Sequence, residues 1–438
     1  MNIDTLINAR WIIPVVPENQ VLDRHSLAIQ GGRILEILPT DQAKRKYSPR
    51  TERDLPGHAL IPGLINSHTH AAMSLLRGLA DDLPLMTWLH DHIWPAEGRW
   101  VGEEFVADGT RLAVAEMLRG GITCFNDMYF FPEVTARVSA AASMRAVIGL
   151  IVIDFPSAWA DDADDYLHKG LAVHDQYRNQ ALIKTAFAPH APYSVSDAPL
   201  ERIRILADEM DIPIHMHVHE TRDEIQRGLQ QSGRRPLARL QELGLVSPSL
   251  AAVHMTQLEE DELDAFARSG AHVVHCPESN LKLASGFCPV NKLVEAGVNV
   301  AIGTDGAASN NDLDMFSEVR TAALLAKGVA QDASAMPAAT ALRMATLNGA
   351  IALGLADETG SLEPGKAADI TAVDLGQVET QPVYHPISQL VYATGRDKVT
   401  DVWVAGKQVV HGSELTTLDR QEILRRAREW RDRICESG

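Results

Sequence analysis

The chain has 438 residues, of which 45% are hydrophobic and 22% are charged, as in folded globular proteins. This length exceeds one ordinary core and is sufficient for a large barrel together with a smaller domain. The formal net charge of −18 and the lack of a lysine-rich or arginine-rich run argue against a nucleic-acid partner, because such partners require a basic face.

Three further features of the sequence indicate the cellular compartment of the protein. The first residues carry no basic segment followed by an apolar core, so we expect no signal peptide. No apolar run approaches the ~20 residues that cross a bilayer. The four cysteines are scattered without a Cys-x-x-Cys pair, which favours reduced thiols. We therefore predict a cytoplasmic protein with no membrane partner.

Both ends of the chain contain short β-favouring runs. The candidate strands cover residues 5–14, 26–30, 33–38, 368–374, 401–405 and 408–411. Gly31 and Gly32 separate two of these runs and indicate a hairpin turn. We predict that residues 1–57 and 364–415 pair into one small β-sandwich domain and that residues 416–438 form a C-terminal surface helix.

Between these ends, apolar strands alternate with helical patterns, which is typical of a parallel α/β fold. The candidate strands end near His68, Asp127, Ile153, His190, Glu220, Met255, Pro277 and Asp305. Eight strands over about 250 residues match a (β/α)8 TIM barrel, and we predict one over residues 58–363. The rival fold, an open doubly wound sheet, is disfavoured because its glycine-rich phosphate-binding fingerprint is absent.

Histidines and acids fall at the predicted carboxyl ends of these strands, which is where barrel active sites lie. His68 and His70 are two residues apart, so both side chains face the same side of a strand and can bind one ion. A third imidazole and the carboxylate of Asp305 would complete a site suited to zinc or iron.

The third imidazole comes from a segment with three histidines on one strand face. His215, His217 and His219 share that face, so the period of two does not choose among them. His217 lies nearest the carboxyl end while still on the strand, which favours it as the ligand. We expect His215 to fill the barrel interior and His219 to support a loop.

Together these motifs carry a family resemblance. Residues 60–70 (Leu-Ile-Pro-Gly-Leu-Ile-Asn-Ser-His-Thr-His), with His217, His254 and residues 303–309, resemble the amidohydrolase superfamily. More narrowly, the chain is similar to the 5′-methylthioadenosine/S-adenosylhomocysteine deaminases and their aminohydrolase and chlorohydrolase relatives. The resemblance covers nearly the whole chain, including residues 363–369, where such chains return from the barrel to the sandwich.

The resemblance implies a single-metal site. His68, His70, His217 and Asp305 would bind one divalent ion, with zinc favoured and iron as the alternative. Several relatives hold a second metal through a carbamylated lysine that ends strand four. The only lysine of that strand, Lys184, lies near its start, so a mononuclear site follows.

The resemblance also implies catalytic and substrate-binding residues. Glu220 would be the proton shuttle, His254 would orient the attacking hydroxide, and Asp305 would take the proton of the water. Glu97 would accept hydrogen bonds from ribose hydroxyls, and His190 would contact the purine edge beside Glu220 and Asp305. Two plainer interpretations stay open: a buried core histidine for His254 and a helix-start carboxylate for Glu97.

Apolar side chains after strands one and two would either line a stacking pocket or pack the loops. They are Met86, Trp88, Leu89, Trp94, Trp100, Met128, Tyr129, Phe130 and Phe131. Relatives that accept a homocysteine tail place an arginine near the end of strand three, where this chain aligns Leu150, while Arg145 lies at the strand's start. Burying a poorly paired carboxylate is costly, so 5′-methylthioadenosine is favoured over S-adenosylhomocysteine unless Arg178 or Lys169 substitutes.

The leading hypothesis is therefore hydrolytic deamination of 5′-methylthioadenosine to 5′-methylthioinosine and ammonia by a homodimer or homotetramer. One alternative keeps the chemistry and changes the substrate to a free base (guanine, 8-oxoguanine or cytosine) or to a chloro-triazine. A non-catalytic scaffold protein is the alternative from another class. It is disfavoured because the metal-ligand set is complete.

Overall fold

The computed structural model describes residues 1–436, which form two eight-stranded sheets. In chain order the strands are β1 (Asn2–Ile12), β2 (Leu22–Gln30), β3 (Arg33–Pro39), β4 (Ser48–Pro62), β5 (Leu64–Thr69), β6 (Ile122–Met128), β7 (Arg145–Val152), β8 (Ile183–Pro189), β9 (Ile214–Val218), β10 (Leu250–His254), β11 (His272–His275), β12 (Val300–Ile302), β13 (Ile370–Asp374), β14 (Val399–Val404), β15 (Lys407–His411) and β16 (Glu414–Leu415).

Helices connect the strands and cover the barrel. They are α1 (Thr40–Lys46), α2 (Leu85–Trp88), α3 (Trp94–Trp100), α4 (Glu103–Arg119), α5 (Pro132–Ala142), α6 (Ala163–Tyr177), α7 (Asp197–Met210), α8 (Arg222–Ser232), α9 (Pro236–Glu242), α10 (Glu260–Ser269), α11 (Pro277–Lys282), α12 (Val290–Glu295), α13 (Ala307–Asn310), α14 (Met315–Ala330), α15 (Ala338–Met344), α16 (Leu347–Ala352), α17 (Pro386–Tyr392) and α18 (Arg420–Cys435). Short 3-10 segments cover Ala71–Leu76, Val378–Thr380 and Arg396–Lys398, and a π-helical turn covers Leu89–Ile93.

The predicted barrel is confirmed: β5 to β12 pair in sequence order as parallel neighbours. The backbone N–H of Asp305, just after β12, donates to the carbonyl oxygen of His68 in β5 at 3.0 Å. Gly303 allows this approach, because a Cβ there would lie 2.7 Å from the backbone nitrogen of His68. The first and last strands of the barrel, β5 and β12, therefore meet at the candidate metal ligands.

The barrel strands are buried on both faces, as expected for a parallel sheet covered by helices. All eight residues of β7 are buried, for example. Such strands are recognisable in a sequence as largely apolar runs between helical patterns, which is why their ends could be predicted closely.

The two chain ends form one mixed sheet, with the order β16-β15-β14-β13-β4-β1-β2-β3. Gly31 and Gly32 have φ values of +59° and +78°, as a tight hairpin turn between β2 and β3 requires. Strand β4 is absent from the predicted strands. Its first residues are polar and largely exposed, yet its backbone pairs in parallel with β1 and antiparallel with β13.

The C-terminal helix α18 packs against α4. The Trp430 indole donates to Asp108 Oδ2 at 3.0 Å, and its ring contacts Phe105 edge-on. Residues 437 and 438, which belong to the predicted helix segment, lie outside the described residues. Within residues 1–436, no helix combines the length and the apolarity needed to span a bilayer.

Candidate active site

Three histidines and one aspartate converge at the carboxyl end of the barrel. His68 is the next-to-last residue of β5 and His70 follows the strand, His217 lies in β9, and Asp305 follows β12. One ligand atom from each of the four lies within 4.8 Å of all the others. The Nε2 atoms of His68 and His217 are 3.1 Å apart, and Asp305 Oδ1 lies 3.2 Å from His70 Nε2.

Hydrogen bonds to the outer ring nitrogens orient the imidazoles. His70 Nδ1–H donates to the Met128 carbonyl at 2.6 Å, and His217 Nδ1–H donates to the His190 carbonyl at 2.8 Å. These carbonyls hold a proton on each Nδ1 atom, so that both Nε2 atoms point to the centre of the site.

The protonation states of these groups also suit a cation. Burial lowers the pKa of His68 to about 4 and lowers that of His217 well below its ordinary value, so both rings are neutral. Burial alone would lower the pKa of His70, but the hydrogen bond to Asp305 raises it to about 9, so His70 holds a proton on Nε2 that a bound cation would displace. The carboxylate thus attracts positive charge, and three imidazoles with one carboxylate fit a divalent metal.

Only one such cluster exists in the described part of the chain. Lys184 is exposed near the start of β8, away from the carboxyl end that carries the ligands. His215 lies inside the barrel, with its Nε2 atom 2.7 Å from His68 Nδ1. His219 contacts the next loop, because its Nε2 atom accepts the backbone N–H of Leu237 at 3.1 Å.

Glu220 and His254 lie beside the metal-ligand cluster. Glu220 Oε2 is 3.9 Å from His254 Nε2. His254 Nδ1–H donates to Asn280 Oδ1 at 2.8 Å, which leaves the Nε2 lone pair directed at the site. Burial raises the pKa of the Glu220 carboxyl, which favours a group that holds and releases a proton.

Two serines hold the remaining oxygen of the Asp305 carboxylate. Ser279 and Ser309 donate to Oδ2 at 2.7 and 2.9 Å. Sequence reasoning did not identify Ser279 or Asn280, because both come from the short helix α11, which carries no motif. Ser309 lies in the segment that carries the family resemblance, and this is the one signal that pointed to it.

A cavity of about 480 Å³ opens above this cluster. It contains Glu97, whose Oε1 accepts the Tyr129 hydroxyl at 2.7 Å, and burial raises the pKa of this carboxyl. His190 also lines it, with Nδ1 2.9 Å from Ser194 Oγ, and burial lowers the pKa of His190 to about 3. Every predicted catalytic and substrate residue therefore borders one space.

Six of the predicted stacking residues line this cavity: Trp88, Leu89, Trp94, Met128, Tyr129 and Phe130. Trp100 instead packs against Trp430, with ring centroids 6.2 Å apart. The walls beside Glu97 are thus aromatic and apolar, as a purine with an apolar substituent requires.

The alignment of Leu150 with a cavity position is wrong. Leu150 faces outward and packs against Gly170 of α6, whereas Ile151 and Ile153 line the cavity. Arg145 is buried at the opposite end of the strand, where it binds Asp369 with Nε 2.8 Å from Oδ2. The third barrel strand, β7, therefore places no cationic side chain in the cavity.

The cation that does line the cavity comes from another element. Arg227 lies on α8 and forms an ion pair with Asp223, with Nε 2.8 Å from Oδ2 and the arginine side chain 39% exposed. Lys169 is engaged elsewhere by the Trp159 carbonyl at 2.7 Å. Arg178 pairs with Asp175 at 3.5 Å. Neither of these two predicted substitutes reaches the cavity lining.

Comparison with known proteins agrees with this geometry. A model of the amidohydrolase family matches residues 59–409, which span the barrel. The chain belongs to the amidohydrolase family. Among family members, it is 54% identical over 432 residues to a 5-methylthioadenosine/S-adenosylhomocysteine deaminase of Teredinibacter turnerae, with 99% of this chain and 98% of that protein covered. A protein of the same name from Saccharophagus degradans is 52% identical, with 98% and 97% covered.

Solved structures of family members are also similar. An adenosine deaminase from Xanthomonas campestris with bound zinc has a TM-score of 0.98 and 56% identity over 99% of both chains. An atrazine chlorohydrolase from Arthrobacter aurescens has a TM-score of 0.90 at 23% identity, covering 97% of this chain and 99% of that one, which shows a shared fold.

Proposed function

We propose that the protein is a metal-dependent hydrolytic deaminase of adenosine-type nucleosides, with 5′-methylthioadenosine as its main substrate. The products are 5′-methylthioinosine and ammonia. The observation that carries the proposal is a carboxylate, Glu97, in the same apolar cavity as the metal-ligand cluster and Glu220. The names of the relatives at 54% and 52% identity support it.

In this proposal the cofactor is one zinc ion held by His68, His70, His217 and Asp305. Such an ion would lower the pKa of water from ~15.7 toward ~7 and would thereby supply a nucleophile at neutral pH. The choice of zinc follows the adenosine deaminase at 56% identity, whose structure has bound zinc, and iron is the alternative.

The protein's own residues would move the protons. Asp305 accepts the proton of the attacking water, and His254 Nε2 orients that water by a hydrogen bond. Glu220 delivers a proton to the ring nitrogen next to the amino-bearing carbon. A C–O bond would form at this carbon as the ring nitrogen takes up this proton. Glu220 would then take the proton of the new hydroxyl group and pass it to the amino group, which would leave as ammonia as the C–N bond breaks. The proton held by Asp305 would return to Glu220, so that both carboxyl groups regain their starting states.

A screen of ammonia release tests the proposal. Metal-replete enzyme is offered nucleosides, free bases and triazines, and 5′-methylthioadenosine is expected to give the highest kcat/KM. A higher kcat/KM for guanine, 8-oxoguanine or cytosine would show that the substrate is a free base and not a nucleoside. Chloride release from a chloro-triazine at a higher kcat/KM would make the protein a chlorohydrolase.

Glu97→Gln tests the contact with the ribose. The variant is expected to lower kcat/KM for 5′-methylthioadenosine about 10–100-fold, because a hydrogen bond to a charged group contributes ~1.5–3 kcal/mol. The value for adenine, which has no ribose, should stay near that of the wild type. Tyr129→Phe is the matched control, since it removes only the hydroxyl that binds Glu97. Equal losses for the nucleoside and the base would refute the ribose contact.

Arg227→Gln tests discrimination between substrate tails. We expect kcat/KM for S-adenosylhomocysteine to fall about 10-fold, at the low end for a charged hydrogen bond because the side chain is partly exposed. The value for 5′-methylthioadenosine, which has no carboxylate, should not change. Arg222→Gln removes the same charge from the same helix and serves as the control. An unchanged ratio of the two substrates in Arg227→Gln would exclude a role for Arg227.

We also propose a cytoplasmic homo-oligomer, either a dimer or a tetramer. Light scattering after size-exclusion chromatography measures the mass directly. A mass of 47.8 kDa, that of one chain, would contradict the oligomer.

A further inference from the structure

The turn that carries Glu220 has a backbone conformation that needs support. His219, the residue before it, has a φ of +54°, in the left-handed region. For a residue with a side chain this region costs roughly 1–2 kcal/mol, and it persists only when surrounding contacts determine it. What holds this turn therefore also sets the position of Glu220.

The carboxylate of Glu224 binds the N–H side of this turn. Its Oε1 accepts the backbone N–H of His219 at 2.9 Å, and its Oε2 accepts the backbone N–H of Glu220 at 2.7 Å. The side chain is buried, with 4% of the residue exposed. On the opposite side, Thr256 Oγ1–H donates to the carbonyl oxygen of Glu220 at 2.7 Å. Hydrogen bonds thus hold the backbone of Glu220 at both its amide and its carbonyl group.

This arrangement extends an ordinary helix cap. Thr221 is the N-cap of α8 and accepts the backbone N–H of Glu224, as in a capping box. In that motif the glutamate reaches back to the N–H of the N-cap residue itself. Here the carboxylate reaches one and two residues further back, to Glu220 and His219. The contacts of Glu224 therefore serve the turn rather than only the helix.

We propose that Glu224 is a positioning residue that fixes Glu220 in the geometry needed for proton transfer. The inference rests on the proposed function, because Glu220 is the proton shuttle only in that function. Neither Glu224 nor Thr221 lines the cavity, so substrate binding should not depend on them directly.

Glu224→Gln is the main test. An amide offers one oxygen where the carboxylate offers two, and its NH2 group would face a backbone donor, so the turn loses at least one bond. We expect kcat for 5′-methylthioadenosine to fall about 10–100-fold, because small misplacements of a reacting group cost up to ~10²-fold. KM and the metal content should remain those of the wild type.

Thr221→Ala is the matched control. It removes the other half of the cap of α8 and destabilises the same helix without touching the amides of His219 and Glu220. Its kcat should stay close to that of the wild type. If Thr221→Ala and Glu224→Gln lower kcat equally, or if Glu224→Gln raises KM while kcat is unchanged, the proposal is overturned.

A double variant checks that Glu224 acts through Glu220. Adding Glu224→Gln to Glu220→Gln should change kcat little further, because the group to be positioned is already lost. A full additional loss would overturn the proposal. Should Glu224→Gln fail to fold, Glu224→Asp keeps the carboxylate but is too short for both amides, and it must show the same loss of kcat at unchanged KM.

A failure of the proposed function would look different. Wild-type enzyme would then release no ammonia from any nucleoside. In that case, hydrogen exchange at the amides of His219 and Glu220 tests whether Glu224 holds the turn. Faster exchange in Glu224→Gln than in Thr221→Ala would support the role of Glu224 in holding the turn, and equal exchange would overturn it.

Discussion

Glu220→Gln is expected to lower kcat by about 10²–10⁴, the usual contribution of a general acid or base. Glutamine keeps the shape of the side chain but cannot deliver a proton to the substrate ring. The metal content should be unchanged, because Glu220 is outside the ligand cluster. Steady-state kinetics with 5′-methylthioadenosine, together with metal analysis of the same sample, provides the measurement. A kcat near that of the wild type would remove Glu220 from the mechanism.

Metal removal is expected to have an equally large effect. Several kcal/mol of stabilisation depend on the ion, so chelated enzyme should lose at least ~10³-fold in kcat. Adding Zn²⁺ should restore the rate at one metal per chain, measured by elemental analysis.

The matched variant for the metal experiment is Lys184→Ala. This exposed lysine lies near the start of β8, so its loss should change neither the metal content nor kcat. Two metals per chain, or activity that survives complete removal of metal, would contradict the single-metal site.

The barrel could be predicted because its strands are almost entirely buried and are largely apolar runs that alternate with helical patterns. Strand β4 could not, since its ordering comes from backbone pairing with β1 and β13 while its first residues are polar. The histidine pair at residues 68 and 70 needs only local alternation to be recognised, so the sequence was sufficient for it.

Other parts of the site depend on orientation that a sequence does not contain. Leu150 was aligned by position alone, but alternation along β7 turns it toward α6 and turns Ile151 toward the cavity. A one-residue difference in register exchanges the two faces of a strand. Arg227 and Glu224 belong to α8, and its placement over the barrel mouth decides what they contact. No local pattern reveals that placement.

The meeting of β5 and β12 has a consequence for how the chain folds. Thr69 Oγ1–H donates to the Asp305 carbonyl at 3.0 Å across 236 positions of sequence. Contacts this distant form only after most of the chain is ordered, because closing a long loop costs entropy. A cation bound by His68, His70 and Asp305 would join the first and last strands of the barrel as a crosslink would, and its binding energy would add to the stability of the fold. In the apoprotein, the contact between β5 and β12 should therefore be the first part of the barrel to open. The ion would then stabilise the closed barrel in addition to its role in catalysis.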